Sequence, residues 1–369
     1  MIDFLSAHRC WAEVDLAALR HNANAARELV GPDVALLAVI KANGYGHGLA
    51  AVAEALRDHA QLFGVANLQE GMIARAAVPH PLIILGPALP SERAAIVEHR
   101  FIASISSYEE AVQFSRAANG RSVFVNCKID TGMGRMGIHE ADAIAELKRI
   151  SELPNIEIHS VSSHLPSADE DATYTAQQLA HFRELMVHLR AAVPGSYQVH
   201  TLPSAGVLAF SDSAYDIVRA GLMIYGISPL PEHQPLLRPA MTLKAHVVLL
   251  RDIVAGASVS YGRTFIAPRP MRLATLSVGY ADGLPRAVSN RGAAVLIGGR
   301  RCAIVGRVTM DLTVVDVSDV PGVEVGDEAV LIGRQGDAEI FATEVAQQAS
   351  TIAWEVFTGI GSRVARVYV

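Results

Sequence analysis

Hydrophobic and polar positions alternate along this chain in two textures. From residue 35 to about 238, short aliphatic runs recur, each followed by a turn and a stretch with apolar residues at helical spacing. The runs predicted as strands are 35–41 (ALLAVIK), 62–66, 82–86 (LIILG), 101–105, 122–128 (SVFVNCK), 157–163, 198–202 and 216–220. Between them lie amphipathic stretches such as SERAAIVEHR, SYEEAVQFSRAA and AQQLAHFRELMVHLRAA. Strand alternating with helix indicates βα units around a parallel sheet. Repeated at roughly 25 residues per unit, such a pattern closes naturally into a (β/α)8 TIM-type barrel of about 250 residues. A doubly wound open sheet is the competing architecture.

After Pro239 the pattern changes. MTLKAHVVLL, RLATLSVGY, AAVLIG, RCAIVGRV, LTVVDV and EAVLIG are short, β-branched and punctuated by Gly, Pro or Asp. They predict an all-β C-terminal domain. The expected division is a barrel over 12–238 and a β domain over 239–369, with residues 1–11 as candidates to join the latter. The whole is an α/β chain.

Composition narrows the class. The 369 residues are 51% hydrophobic and only 18% charged, which excludes a disordered chain. Aromatics are 6%, so the apolar mass is aliphatic, as buried parallel strands require. No apolar run approaches the ~20 residues of a membrane span. A net charge of −6 lacks the basic footprint of a nucleic-acid binder. Three scattered cysteines, Cys10, Cys127 and Cys302, suit neither a disulfide framework nor a metal knuckle. The opening MIDFLSAHRCWAEVD has no apolar signal core, so the cytoplasm is the expected compartment, with no membrane partner and no metal.

Candidate chemistry gathers at predicted strand ends. Lys41 in AVIKANGYGHG closes the first strand, where barrel active sites lie, and a desolvated amine there can form a Schiff base with an aldehyde cofactor. A solvent-reaching lysine before a glycine turn is the plainer reading. In KIDTGMGRMG, Gly132, Gly134 and Gly137 satisfy a dinucleotide-loop pattern. The motif follows the fifth strand rather than opening the fold, however, and Arg135 within it suits the carboxylate of a substrate. His164 and Ser204 follow the sixth and seventh strands, and Arg219 ends the eighth. Each alone reads as a hydrogen-bonded histidine, a helix cap or an ion-pair member. Together they match the region where barrels hold phosphate, with Gly221 supplying a backbone amide. In the β domain, Tyr261, Tyr280, Asp282, Arg286, Met310 and Asp311 stand out, although a strand tyrosine is as often simply half-buried.

These motifs together resemble the alanine racemase family, in order and over essentially the whole length: WAEVDLAALRHN, AVIKANGYGHG, KIDTGMGRMG, VRAGLMIYG, VSYGRTF, VGYADGLPR, GRVTMD and GSRVARVY. The resemblance implies a pyridoxal 5′-phosphate enzyme interconverting L- and D-alanine, supplying D-alanine for peptidoglycan, as a homodimer with active sites shared between subunits. It implies Lys41 as the Schiff-base lysine and D-side base, and Tyr261, from the partner subunit, as the L-side base. His164 and Arg219 would support that tyrosine, with Arg219 facing the pyridine nitrogen. Tyr45, Ser204, Gly221, Leu222 and Trp354 would line the cofactor. Arg135, Met310, Asp311 and Tyr280 would line the amino-acid substrate. Lys128 matches a lysine that is carbamylated in some members. The sequence departs from the family pattern at Trp354, where tyrosine is usual, at Pro203, where asparagine is common, and at Thr309, where cysteine or serine is common. A racemase of broader or serine-preferring specificity is therefore the alternative.

Overall fold

The computed structural model describes residues 8–369. These divide into two compact units, one of residues 17–44 and 49–238, the other of residues 8–16, 45–48 and 239–369. The apolar runs are strands in the first unit: β1 (Ala35–Val39), β2 (Leu62–Val65), β3 (Leu82–Ile84), β4 (Ile102–Ile105), β5 (Val123–Asp130), β6 (Ile156–Ser162), β7 (Gln198–His200) and β8 (Ile217–Ala220).

All eight neighbours pair in parallel, from β1 round to β8, and β8 pairs back onto β1 with Ile217 opposite Ala35, so the sheet is a closed barrel. Closure removes both sheet edges. Strands covered on both faces are largely apolar, which is why they read as near-continuous runs rather than as alternation.

Helices between the strands are capped by the sequence itself. Asn67 accepts from the amide of Glu70, whose carboxylate in turn accepts from Ala66 N at 2.8 Å. Ser107 and Glu110 repeat the arrangement before Tyr108–Ala117. Such reciprocal caps satisfy amides that the first helical turn leaves unpaired. The helix Leu16–Val30 buries Ala18, Leu19, Asn22, Ala23 and Ala26 on one face. Its one buried polar residue has a specific task. Asn22 donates to Ile224 O at 2.9 Å and Arg238 O at 2.8 Å, and accepts from Arg238 N at 2.8 Å, pinning the stretch after β8 to this helix.

The second unit is built on one long strand, Met241–Ile253, whose first half alternates buried and half-buried residues. It pairs antiparallel with Cys10–Val14, Met271–Leu276 and Glu328–Gln335. Cys10–Val14 also pairs in parallel with Ala365–Tyr368. The barrel unit therefore starts at Ala17 rather than at residue 12, because the apolar alternation of CWAEV is completed by this sheet. Residues 1–7 of the expected N-terminal addition lie outside the described residues. Trp11 is buried here, with Lys244 ion-paired to Glu13 at 2.9 Å and to Glu328 at 3.1 Å. The unit is mostly sheet, and it also carries the helices Ala342–Ala349 and Ala353–Thr358.

Replacing Asn22 by leucine leaves two buried carbonyls and one amide without their partner. We expect Asn22→Leu to destabilise the chain by roughly 3 kcal/mol, measured as a lowered urea midpoint.

Candidate active site

Lys41 lies just past β1, after Ile40, and opens an unusual turn. Ala42, Asn43 and Gly44 have φ of 53°, 55° and 61°, and Tyr45 continues at 49°. A left-handed run costs about 1–2 kcal/mol for each residue bearing a Cβ, so something must hold it. Asn43 supplies part of the hold: its side chain accepts from Leu49 N at 3.0 Å, and its amide donates to Glu70 at 3.3 Å. Gly44 N donates back to Ile40 O at 2.8 Å. Lys41 itself is half-buried. Burial, reinforced by the positive charge of Arg135 and opposed by Glu70, holds its ammonium below the usual lysine range.

Four other groups share its electrostatic field. Burial, then the charges of Arg219 and Arg135, keep the Lys128 amine well below the usual lysine range. His164 is driven down to about 2, first by burial and then by Arg219, Lys128, Arg135 and Lys41. It is therefore a neutral imidazole across the physiological range. Arg219, on β8, is buried and pushed down to about 10 by desolvation, still cationic at neutral pH.

Arg219 is tightly satisfied. It donates to the carbonyls of Ser163 (2.7 Å), Thr201 (2.8 Å) and His200 (2.9 Å), and to the imidazoles of His200 (2.5 Å) and His164 (3.3 Å). A guanidinium has no acceptor, so both imidazoles must present a bare Nδ1 to it. The remaining hydrogen of His164 therefore sits on Nε2, directed away from the arginine.

The loop after β5 explains the misleading glycine pattern. Asp130 turns its carboxylate into the loop and accepts from the amides of Gly132 (3.0 Å), Met133 (2.8 Å) and Gly134 (2.9 and 3.1 Å). Gly132, Gly134 and Gly137 all have positive φ. The amides that a nucleotide loop would offer to phosphate are thus filled by the chain's own carboxylate. Burial alone would raise the Asp130 pKa, but these amide bonds outweigh it and hold it below the usual carboxylate range. A second tether comes from Gln178, which donates to Thr131 Oγ1 at 2.8 Å and to His164 O at 3.0 Å. Arg135 rides on this loop, exposed.

Ser204, buried at the start of a short helix after β7, accepts from Gly221 N at 2.9 Å and Met223 N at 3.3 Å. Leu222 is buried between those amides. The barrel unit thus brings Lys41, Arg135, His164, Ser204, Arg219, Gly221 and Leu222 to the C-terminal strand ends. The buried hydroxyls of Ser162 and Thr201, on the same rim, have no hydrogen-bond partner.

The remaining expected residues belong to the second unit. Tyr45 is buried there, its phenol pushed up to about 12 by desolvation. Gly46 beside it has no room for a Cβ, which would sit 2.2 Å from Phe357 O. Trp354, half-buried, lies on the same helix as Phe357. Tyr280 and Met310 are on adjoining turns, joined through Tyr280 N to Thr309 O and Ala281 N to Met310 O, both 3.0 Å. Arg363 fastens these turns together, gripping Asp282 at 2.7 and 3.1 Å and Asp311 at 2.7 Å. The Asp311 carboxylate is therefore engaged by Arg363, and a direct grip on substrate is not what this geometry provides. Tyr261, Met310 and Tyr280 are 69%, 54% and 41% exposed, unusually bare for such side chains.

Sequence reading missed His200, Asp130, Gln178 and Arg363. His200 sits within the apolar run of β7 and reads as core; Gln178 and Arg363 act on residues distant in sequence, and Asp130 on the amides just after it. Among the described residues no cluster of potential metal ligands occurs, and no helix is long and apolar enough to cross a membrane.

A closed parallel barrel with its charged groups at the C-terminal strand ends, continued by a sheet domain, has the architecture of a barrel enzyme. Residues 14–229 match the family model described as alanine racemase, N-terminal domain, and residues 240–368 match alanine racemase, C-terminal domain. An alanine racemase of Halothermothrix orenii is 39% identical, covering 97% of this chain and 96% of the relative. The alanine racemase of Streptomyces coelicolor A3(2) superposes with TM-score 0.90 at 37% identity, covering all of both chains. That of Bartonella henselae, solved with covalently bound pyridoxal phosphate, superposes with TM-score 0.88 at 29% identity over 98% of this chain and 100% of the other. The chain belongs to the alanine racemase family, whose members are isomerases that use pyridoxal phosphate.

Asp130 contributes its anchoring only while ionised. Its folded pKa is depressed, so this contribution is complete above the unfolded carboxylate pKa and is lost as pH falls through the folded value. We expect Asp130→Ala to raise KM for the amino acid about tenfold with a smaller fall in kcat, read from steady-state kinetics at neutral pH.

Proposed function

We infer that this chain interconverts L- and D-alanine, as a cytoplasmic homodimer supplying D-alanine for peptidoglycan. The observation that carries the reading is the match of both family domains along the chain, together with a lysine of lowered pKa at the barrel's C-terminal rim.

The residues present suit pyridoxal 5′-phosphate. Lys41 offers an amine whose ammonium form is disfavoured, as capture of an aldehyde carbon requires. Arg219 offers a buried cation that can donate to the pyridine nitrogen and cannot take its proton. Ser204 with Gly221 and Leu222, and the phenol of Tyr45, suit the phosphate, while Trp354 would shape that end with one indole donor in place of a phenol. When bound, the cofactor withdraws electrons from the amino acid's Cα and so acidifies its hydrogen.

The chain's own residues would then handle the proton. Racemisation removes it from one face of Cα and returns it to the other, which calls for two bases on opposite faces. Lys41 would serve the D side and the partner's Tyr261 the L side. His164 would aid the tyrosine by pointing its Nε2 hydrogen at the phenolic oxygen, favouring the phenolate. A neutral His164 is suited to this, since Arg219 occupies its Nδ1. Arg135 would hold the substrate carboxylate, aided by the partner's Met310 and Asp311, the latter through the turn that Arg363 braces. Tyr280 of the partner subunit would narrow the entrance. The bare surfaces of Tyr261, Tyr280 and Met310 support their being covered by a second copy.

Incubation with L-alanine in heavy water should exchange the Cα hydrogen and yield D-alanine; failure of both would refute the racemase reading. Lys41→Ala should abolish turnover in both directions, and Tyr261→Phe should abolish it while the cofactor's absorption band persists. A panel of alanine, serine and larger amino acids tests the influence of Trp354 on specificity, with alanine expected as the fastest substrate.

A further inference from the structure

Barrel interiors are ordinarily filled with branched aliphatics. Here five consecutive strands, β4 to β8, each carry one buried polar side chain that joins a single chain of hydrogen bonds: Ser104, Asn126, Ser160, His200 and Arg219. Arg219 Nη1 lies 2.5 Å from His200 Nδ1, and His200 Nε2 lies 3.4 Å from Ser160 Oγ. Ser160 donates to Asn126 Oδ1 at 3.1 Å, and Asn126 Nδ2 donates to Ser104 Oγ at 3.0 Å.

The observed geometry gives the direction at the first link. A guanidinium only donates, so His200 Nδ1 accepts and its hydrogen sits on Nε2. The Ser160 hydroxyl has a single hydrogen, committed to Asn126. It can therefore only accept from His200, and its remaining lone pair faces His159 Nδ1 at 3.2 Å.

We propose that this one-way chain holds His200 as the neutral Nε2–H tautomer, and that Asn126, three strands away, is a positioning residue for Arg219. The reasoning turns on one hydrogen. If Asn126 did not take it, Ser160 could donate to His200 Nε2, and the imidazole could carry its hydrogen on Nδ1. That N–H would point at the Arg219 N–H, and the arginine would lose an acceptor and shift. Burial and the cations Arg219 and Lys128 independently disfavour a second proton on His200. The consequence for rate rests on the racemase reading, in which Arg219 faces the cofactor ring; the tautomer does not.

The test is 15N NMR of histidine-labelled holoenzyme, with the His200 signals assigned by their loss in His200→Gln. Wild type should show a protonated Nε2 and a bare Nδ1. Asn126→Leu should add a population protonated at Nδ1 and lower kcat about tenfold, the equivalent of one net hydrogen bond. A wild-type His200 that is doubly protonated or carries its hydrogen on Nδ1 overturns the proposal, whether or not the variant folds. So does an unchanged tautomer in Asn126→Leu, whatever happens to the rate. A wild type with the expected tautomer that does not racemise alanine counts against the function alone and supports this proposal.

Discussion

A permanent cation enclosed in a barrel is the constraint around which the first unit is arranged. Desolvating a guanidinium is costly unless its N–H groups find acceptors, and the two terminal nitrogens of Arg219 find three carbonyls and two imidazole nitrogens. The carbonyls come from Ser163, His200 and Thr201, at the ends of β6 and β7, so the barrel's own parallel register delivers them. The imidazoles are useful only while neutral. Burial secures this first, and the arginine adds to it, because a second proton would stand beside a fixed positive charge. Burial and one enclosed charge together keep two histidines neutral, each presenting Nδ1 to the arginine.

How much of this was legible in the sequence follows from which interactions are local. The barrel strands were readable because closure buries both faces, leaving aliphatic runs with few rivals for their meaning. Lys41, Arg135, His164, Ser204 and Arg219 were readable because each lies at the end of such a run or just past it. Cys10–Val14 was not, since its alternation is completed by Met241–Ile253 and Ala365–Tyr368, over two hundred residues away. Nor was the assignment of residues 45–48 to the second unit, where Arg366 holds Gly46 O at 2.9 Å while also gripping the carbonyls of Ile360, Gly361 and Val364. His200 escaped notice because a histidine inside an apolar run looks like core. Its importance comes from Arg219, nineteen residues on, and from side chains on three other strands.

Two of the site's cations are carried on backbone that would be unfavourable by itself. Lys41 is followed by a left-handed turn through Ala42 and Asn43, and Arg135 is flanked by glycines in conformations that other residues avoid. In both places a carboxylate binds backbone amides of the turn or its flank: Glu70 with Asn43 and Ala66, Asp130 with the glycine loop. The chain thus uses anions as structural braces for loops that present cations. Burial, and then the neighbouring arginines, keep the lysine amines depressed in spite of both carboxylates.

The glycine loop illustrates a general limit on reading motifs. Successive amides pointing into one hollow require an anion, and glycines are what allow the backbone to form the hollow. The pattern therefore reports that an anion is bound without specifying which. What decides the matter here is Asp130, two residues before the first glycine, close enough to fold its own side chain into the hollow. With that place filled, the loop's amides at Gly132, Met133 and Gly134 are not free to meet an external anion. An acidic residue immediately ahead of a glycine-rich turn is thus a physical reason to look for the ligand site at another strand end.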